Sequence, residues 1–297
     1  MEAQSGGMVT ECAEMRCFMN TVTVRGVSIG EGCPKICIPI VGTTEEEIIK
    51  AAGMFHNLPV DVAEWRVDWF EEAEDRDRVM EVLALLRKEL QNIPILFTFR
   101  TLEEGGQRFL SPEDYEHLNQ AAAESGCADL IDVELLMEEK MAQSLVEAIH
   151  RAGAKVIMSS HDFQKTPSQK EIIERMCRMQ ELGADIPKIA VMPQNERDVL
   201  TLLSATEEMR DVYADRPIIT MSMSSKGVIS RVAGETFGSA MTFGAAKRAS
   251  APGQLDVEDL DRILHILHSY LQNDVPAKER TVCYDTIRRS TGKNQSV

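Results

Sequence analysis

The stretch AKVIMSSHDFQKTPSQKEIIERMCRMQELGADIPKIAVM (Ala154–Met192) decides the fold. Its two ends, AKVIMSS (Ala154–Ser160) and PKIAVM (Pro187–Met192), are short and almost wholly apolar. Such runs fit strands of a parallel sheet that are covered on both faces. Between them, Ser168–Leu182 carries apolar residues at helical spacing, and Gly183 follows where a helix-ending glycine belongs. The unit is strand, helix, strand.

Working outward, the same unit recurs. Further strand segments are KICIPIV (Lys35–Val41), VAEWRVD (Val62–Asp68), PILFTFR (Pro94–Arg100) and LIDVEL (Leu130–Leu135). The last two are PIITMSM (Pro217–Met223) and SAMTFG (Ser239–Gly244). Helical patterns fill the gaps: a capped run from Thr43-Thr44-Glu45 to about Asn57, Arg76–Leu90, Asp114–Glu124 behind a Ser111-Pro112 start, Met137–Ala152, Asn195–Arg210 and Val257–Leu271. Eight strands alternating with helices predict an α/β (β/α)8 TIM barrel. A doubly wound open sheet is the alternative, but no GxGxxG follows the first strand. TVTVRGVSIG (Thr21–Gly30) alternates around a central glycine and predicts a β-hairpin closing the barrel bottom. Residues 21–275 thus form one barrel domain, preceded by a poorly ordered leader (1–20) and followed by a tail (276–297).

The chain has 297 residues and a formal net charge of -16. So acidic a surface argues against nucleic acid and anionic membrane as partners, although clustered arginines can still dominate one pocket. No apolar run approaches the roughly 18–20 residues of a membrane helix. The leader carries Glu2, Glu11 and Glu14 and does not read as a secretory signal. Seven cysteines, an odd number with no CxxC pair, suit reduced thiols in a cytoplasmic protein.

Catalytic residues of a barrel lie at the C-terminal ends of its strands. Lys188 falls inside the sixth strand among apolar residues. An isolated lysine of this kind more often snorkels to solvent or pairs with a carboxylate. In a dry pocket, however, a neutral amine can attack a ketone and form an imine. His161 is the one histidine at a predicted strand end, on the neighbouring strand, and suits proton transfer beside an imine. Arg66, Arg100 and Arg231 would point into the same mouth, with Glu64, Glu104 and Glu134 as partners. They form either an inert ion-pair network or a fork for a substrate carboxylate. No HxH or HExxH accompanies the carboxylates, and the arginines would repel a metal ion.

Together these segments resemble the type I 3-dehydroquinate dehydratases. The resemblance rests on EWRVD (Glu64–Asp68), FTFR with EGG (Phe97–Arg100, Glu104–Gly106), SSHDF with KTP (Ser159–Phe163, Lys165–Pro167) and ADIPKIA (Ala184–Ala190). ITMSM with GVISR (Ile219–Met223, Gly227–Arg231), GETFGSAMTFG (Gly234–Gly244) and ASAPGQ (Ala249–Gln254) continue it. It implies that Lys188 forms a Schiff base with the C3 ketone of 3-dehydroquinate. It also implies that His161 is the general acid and base, that Glu104 orients it, and that Arg231 binds the substrate carboxylate. Glu64, Arg66 and Arg100 resemble residues that hold the ring, and Met221, Met223 and Phe243 an apolar lining. Ser250 and Gln254 resemble residues of a lid tipped by Pro252-Gly253.

The reaction implied is loss of water to 3-dehydroshikimate, a shikimate-pathway step, with no metal and no organic cofactor. A cytoplasmic homodimer is implied as well. One position departs: many members carry serine at the end of the first strand, and this chain has Pro39. Proline cannot donate that hydroxyl's hydrogen bond. Two other classes compete. A class I aldolase-type barrel would need a phosphate cradle after strands seven and eight, and a non-catalytic dehydroquinate-binding regulator would bind without turnover.

Overall fold

The computed structural model describes residues 20–135, 139–246 and 250–272. The tail 276–297, and all of the leader except Asn20, lie outside the described residues. The first two strands, β1 (Val22–Val24) and β2 (Val27–Ile29), pair antiparallel. Their turn is Arg25-Gly26, both at positive φ, which is the geometry a two-residue hairpin turn requires.

The remaining strands are β3 (Lys35–Ile40), β4 (Val62–Arg66), β5 (Ile95–Thr98) and β6 (Leu130–Glu134), then β7 (Lys155–Asp162), β8 (Ile186–Val191), β9 (Ile219–Ser222) and β10 (Met241–Phe243). They pair parallel in the order β10-β3-β4-β5-β6-β7-β8-β9. A bridge between Ile218 and Ser239, with Ala240 N–H donating to Ile218 O at 2.8 Å, joins β9 to β10 and closes the barrel. The expected (β/α)8 barrel and its N-terminal hairpin are both present.

The helices are α1 (Glu45–Gly53), α2 (Arg76–Leu90), α3 (Pro112–Glu124), α4 (Glu139–Arg151), α5 (Gln169–Glu181), α6 (Glu196–Glu208), α7 (Val228–Val232), α8 (Gly234–Phe237) and α9 (Val257–Leu271). Their starts are set by side-chain caps at Thr44, Asp75, Ser111, Ser168, Asn195 and Asp256. Each cap satisfies backbone N–H groups that would otherwise lack partners and contributes about 1 kcal/mol. At α5 the cap is reciprocal between Ser168 and Glu171.

Successive side chains on a strand point to opposite faces. Outward residues such as Ile38, Trp65, Phe97, Val133 and Met158 are buried against the helices. Inward residues change character with height. At the N-terminal end a ring of Cys37, Val62, Leu96, Leu130, Ile157, Ile186, Ile219 and Met241 packs with Val22, Val24 and Ile29 of the hairpin. The hairpin is therefore an apolar plug at the barrel bottom. Two residues further along, the inward positions on β4 to β8 become polar (Glu64, Thr98, Asp132, Ser159 and Lys188), and the site begins there.

The structure differs from the sequence reading in two places. Strand β7 runs on to Asp162, because His161 and Asp162 stay in register with Ala190 and Val191 of β8. Between β9 and β10 the chain makes two short helices, α7 and α8, whose lengths of five and four residues give no readable period.

Candidate active site

Lys188 lies in the middle of β8 and is 2 % exposed. Its Nζ sits 4.4 Å from the centre of the Phe243 ring on β10. The dry surroundings expected from the sequence are only part of its environment. Asp132 Oδ2 stands 3.6 Å and Glu64 Oε1 3.9 Å from the same nitrogen, and both carboxylates are buried. Glu64 Oε1 also accepts from Thr98 Oγ1 at 3.1 Å. Asp132 Oδ1 accepts from Ser159 Oγ and from Arg100, each at 2.8 Å, whereas Asp132 Oδ2 has no hydrogen-bond partner among the described residues.

His161 stands near the end of β7, with Nδ1 2.8 Å from Glu104 Oε2. Glu104 itself is fully buried, in the turn after β5. Burial holds the imidazole well below its ordinary value, and the charges of Arg100, Lys188 and Arg66 push the same way. Burial also pushes Glu104 up to about 8, opposed by Arg100 and reinforced by Glu134 and Asp132. Both shifts work against charge on the pair. Phe163 stacks on the His161 ring at 6.4 Å. It fits because Gly105 has no side chain: a Cβ there would lie 2.4 Å from the Phe163 ring.

The three arginines divide into two kinds. Arg66 pairs bidentately with Asp68, at 2.8 and 2.9 Å, rather than with a glutamate as expected. Arg100 contacts Glu104, Asp132 and Glu134, the last two at 2.8 Å. Glu134 is held further by the N–H and hydroxyl of Thr101. These two arginines belong to an ion-pair network.

Arg231, on α7, does not. Among the described residues no carboxylate pairs with it, although it is only 1 % exposed. Its guanidinium donates instead to the backbone carbonyls of Phe243 at 3.3 Å and Pro252 at 3.1 Å, and its Nε has no hydrogen-bond partner among the described residues. Burial lowers it to about 10. A buried cation without a counterion is costly, and the site is correspondingly receptive to an anion.

Pro252 belongs to the loop after β10. Ser250 N–H donates to Gln254 Oε1 at 2.8 Å and Gln254 Nε2 donates to Ser250 Oγ at 3.0 Å. Ser224 N–H donates to Pro252 O at 3.2 Å. Together these bonds seat the loop over the mouth.

All twelve residues given site roles from the sequence line one pocket: Lys188, His161, Glu104, Glu64, Arg66, Arg100, Arg231, Ser250, Gln254, Met221, Met223 and Phe243. Sequence reasoning missed Gly105, Phe163, Ala190 and Ala251, which line it too. Phe163 was legible as the last residue of SSHDF, but nothing local showed that its ring turns back to the pocket. Pro39 is buried in β3 in register with Glu64 and is absent from the cavity wall.

Fold and mouth together define a barrel enzyme whose pocket brings together an amine, an imidazole and a guanidinium unpaired with any carboxylate among the described residues. The description type I 3-dehydroquinase matches residues 36–270, and this chain belongs to that family. It is 55% identical over 247 residues to the 3-dehydroquinate dehydratase of Clostridioides difficile, covering 83% of this chain and 97% of that one. A crystal structure of type I 3-dehydroquinate dehydratase from Clostridium difficile, with covalently modified comenic acid, superposes with a TM-score of 0.82 at 54% identity. It covers 84% of this chain and 98% of its own. The Geobacillus kaustophilus 3-dehydroquinate dehydratase gives 0.82 at 38% identity, covering 84% and 97%. Among the described residues no helix is long and apolar enough to cross a membrane.

Proposed function

We propose that this chain removes water from 3-dehydroquinate to give 3-dehydroshikimate through an imine on Lys188. The observation that carries the reading is the convergence of Lys188, His161 and Arg231 on one pocket, with no carboxylate paired to Arg231 among the described residues. The relatives named 3-dehydroquinate dehydratase supply the substrate.

Arg231 binds the substrate carboxylate with a fork of N–H donors. The amine of Lys188 adds to the C3 carbonyl; the carbinolamine hydroxyl takes up one proton, returned at the final hydrolysis, and leaves as water to give an iminium. That cation is an electron sink, so the neighbouring C2–H becomes acidic. His161, held neutral by burial, takes the C2 proton, and the C–H electron pair moves into the iminium to give an enamine. The enamine electrons then expel the C1 hydroxyl, which leaves as water carrying the proton from His161, so the elimination is syn. Addition of one water to the conjugated iminium releases the product ketone and restores the amine. The balance is one water lost. Glu104 orients His161, Met221, Met223 and Phe243 hold the ring, and the Ser250–Gln254 loop excludes bulk water.

This scheme uses no metal and no organic cofactor. A relative solved with covalently modified comenic acid supports covalent chemistry in the family. The same reading carries a place in aromatic amino acid biosynthesis and a cytoplasmic homodimer, whose assembly sedimentation velocity tests.

The deciding experiment is a borohydride trap. Protein, 3-dehydroquinate and borohydride should give one reduced adduct per chain, mapped to the Lys188 peptide. Absence of an adduct, together with absence of enone absorbance in the untreated reaction, would remove both the substrate and the mechanism.

A further inference from the structure

At the opposite end of the barrel lies a second cluster of side chains that the proposed reaction does not use. Cys33 precedes β3, Glu235 lies on α8 and His268 sits in the last turn of α9. One ligating atom from each lies within 4.8 Å of the other two. His268 Nδ1 is 2.7 Å from Glu235 Oε1, and His268 is 9 % exposed. Among the described residues this is the one place where three such donors converge.

We propose that Cys33, Glu235 and His268 form a divalent metal site of the zinc class. The donor set selects the ion. A thiolate, an imidazole and a carboxylate suit zinc or cobalt, whereas magnesium and calcium prefer all-oxygen shells. Three protein ligands leave the fourth tetrahedral position to water. Bonds of about 2.0–2.3 Å put tetrahedral donors roughly 3.5 Å apart, so the thiol has about an ångström to close and the metal replaces the proton between His268 and Glu235.

The location suggests what the ion does. Strand β10 meets β9 through one bridge and β3 over three residues, so it is the most lightly paired strand of the barrel, and its seam with β3 lies here. Cys33 leads into β3, Glu235 leads into β10, and His268 belongs to the helix packed beside both. A metal here ties three separate segments across that seam. Residues at the N-terminal face of a barrel serve stability rather than chemistry, so the site staples the barrel and leaves turnover alone.

The test uses the full chain, reduced and stripped of metal, titrated with cobalt. One equivalent should give a thiolate-to-cobalt charge-transfer band with tetrahedral d–d absorption. Zinc in excess should raise Tm by about 5 °C. Cys33→Ser should abolish the charge-transfer band, and His268→Gln should weaken binding at least about tenfold. Unchanged turnover verifies that each variant is folded, and if Cys33→Ser fails that check His268→Gln decides alone. Absence of a thiolate band at one equivalent overturns the site. So does a band that persists undiminished in the variants, which would place the metal on Cys12, Cys17, Cys283 or surface groups.

Discussion

His161 Nδ1 and Glu104 Oε2 stand 2.8 Å apart, and the same oxygen accepts from Arg100 at 3.2 Å. The carboxylate is thus fixed from one side by a guanidinium and fixes an imidazole on the other. Replacing it with Glu104→Gln keeps the shape but puts an amide where both neighbours present donors. We expect kcat to fall about 10–10²-fold with KM little changed, since a positioned acid–base group contributes about 10²–10⁴ in all. Steady-state kinetics on the enone product decide, and an unchanged kcat would take Glu104 out of the proton-transfer machinery.

The pair also fixes the pH dependence. Burial lowers His161, so its neutral form persists below the ordinary imidazole range near 6.5. The acid limb of kcat/KM should therefore lie below that value. Burial raises Glu104 to about 8, so a second inflection near 8 should appear and should vanish in Glu104→Gln. A limb at or above 6.5 that follows His161 would contradict the burial argument.

Lys188→Met removes the amine and keeps most of the stem. Turnover should fall about 10⁴-fold or more, and the borohydride adduct should disappear. The fold should suffer too. Asp132 Oδ2 and Glu64 Oε1 lose the one amine that faces them both, and breaking a buried pair costs about 3–5 kcal/mol. Denaturant titration measures that loss. A variant as stable as the parent would mean that the amine contributes nothing to the fold through these two contacts.

How far these residues were legible follows from the fold itself. Parallel strands covered on both faces leave near-continuous apolar runs, so Lys35–Val41 and Pro187–Met192 stood out. A charged residue inside such a run, Lys188 above all, stood out for the same reason. Alternation along each strand then carried Glu64 and Arg66, or Thr98 and Arg100, to one mouth. Pairings between elements were not legible. Asp68 rather than a glutamate took Arg66, and two carboxylates reached Lys188 from strands that only barrel closure brings near. The cluster joins Cys33 to Glu235 and His268, each more than two hundred positions further on, beyond any spacing rule.

Arg231 and Arg100 should separate function from stability. Among the described residues Arg231 pairs with no carboxylate, so Arg231→Ala should raise KM about 10²-fold while leaving the unfolding free energy within about 1 kcal/mol. Arg100 faces three buried carboxylates, so Arg100→Ala should cost about 3–5 kcal/mol. Both are read by parallel kinetics and denaturant titration. Equal destabilisation of the two would show that Arg231 is a structural cation.

The loop over the mouth rests on a close backbone contact. Gly253 has φ +81, and a Cβ there would lie 2.2 Å from Ser224 O. Ser224 is itself held at φ 60, a conformation uncommon outside glycine, and its N–H donates to Pro252 O. That same carbonyl accepts from Arg231. Gly253→Ala must therefore lift the loop and break two hydrogen bonds at once, one of them to the group expected to hold substrate. Misplacement by about 1 Å in a closed site costs about 10²-fold, so kcat/KM should fall about 10–10²-fold. Tm should hold, because the loop lies outside the core. Unchanged kcat/KM would mean that turnover does not need the loop seated on Ser224, and that Arg231 holds substrate without its bond to Pro252.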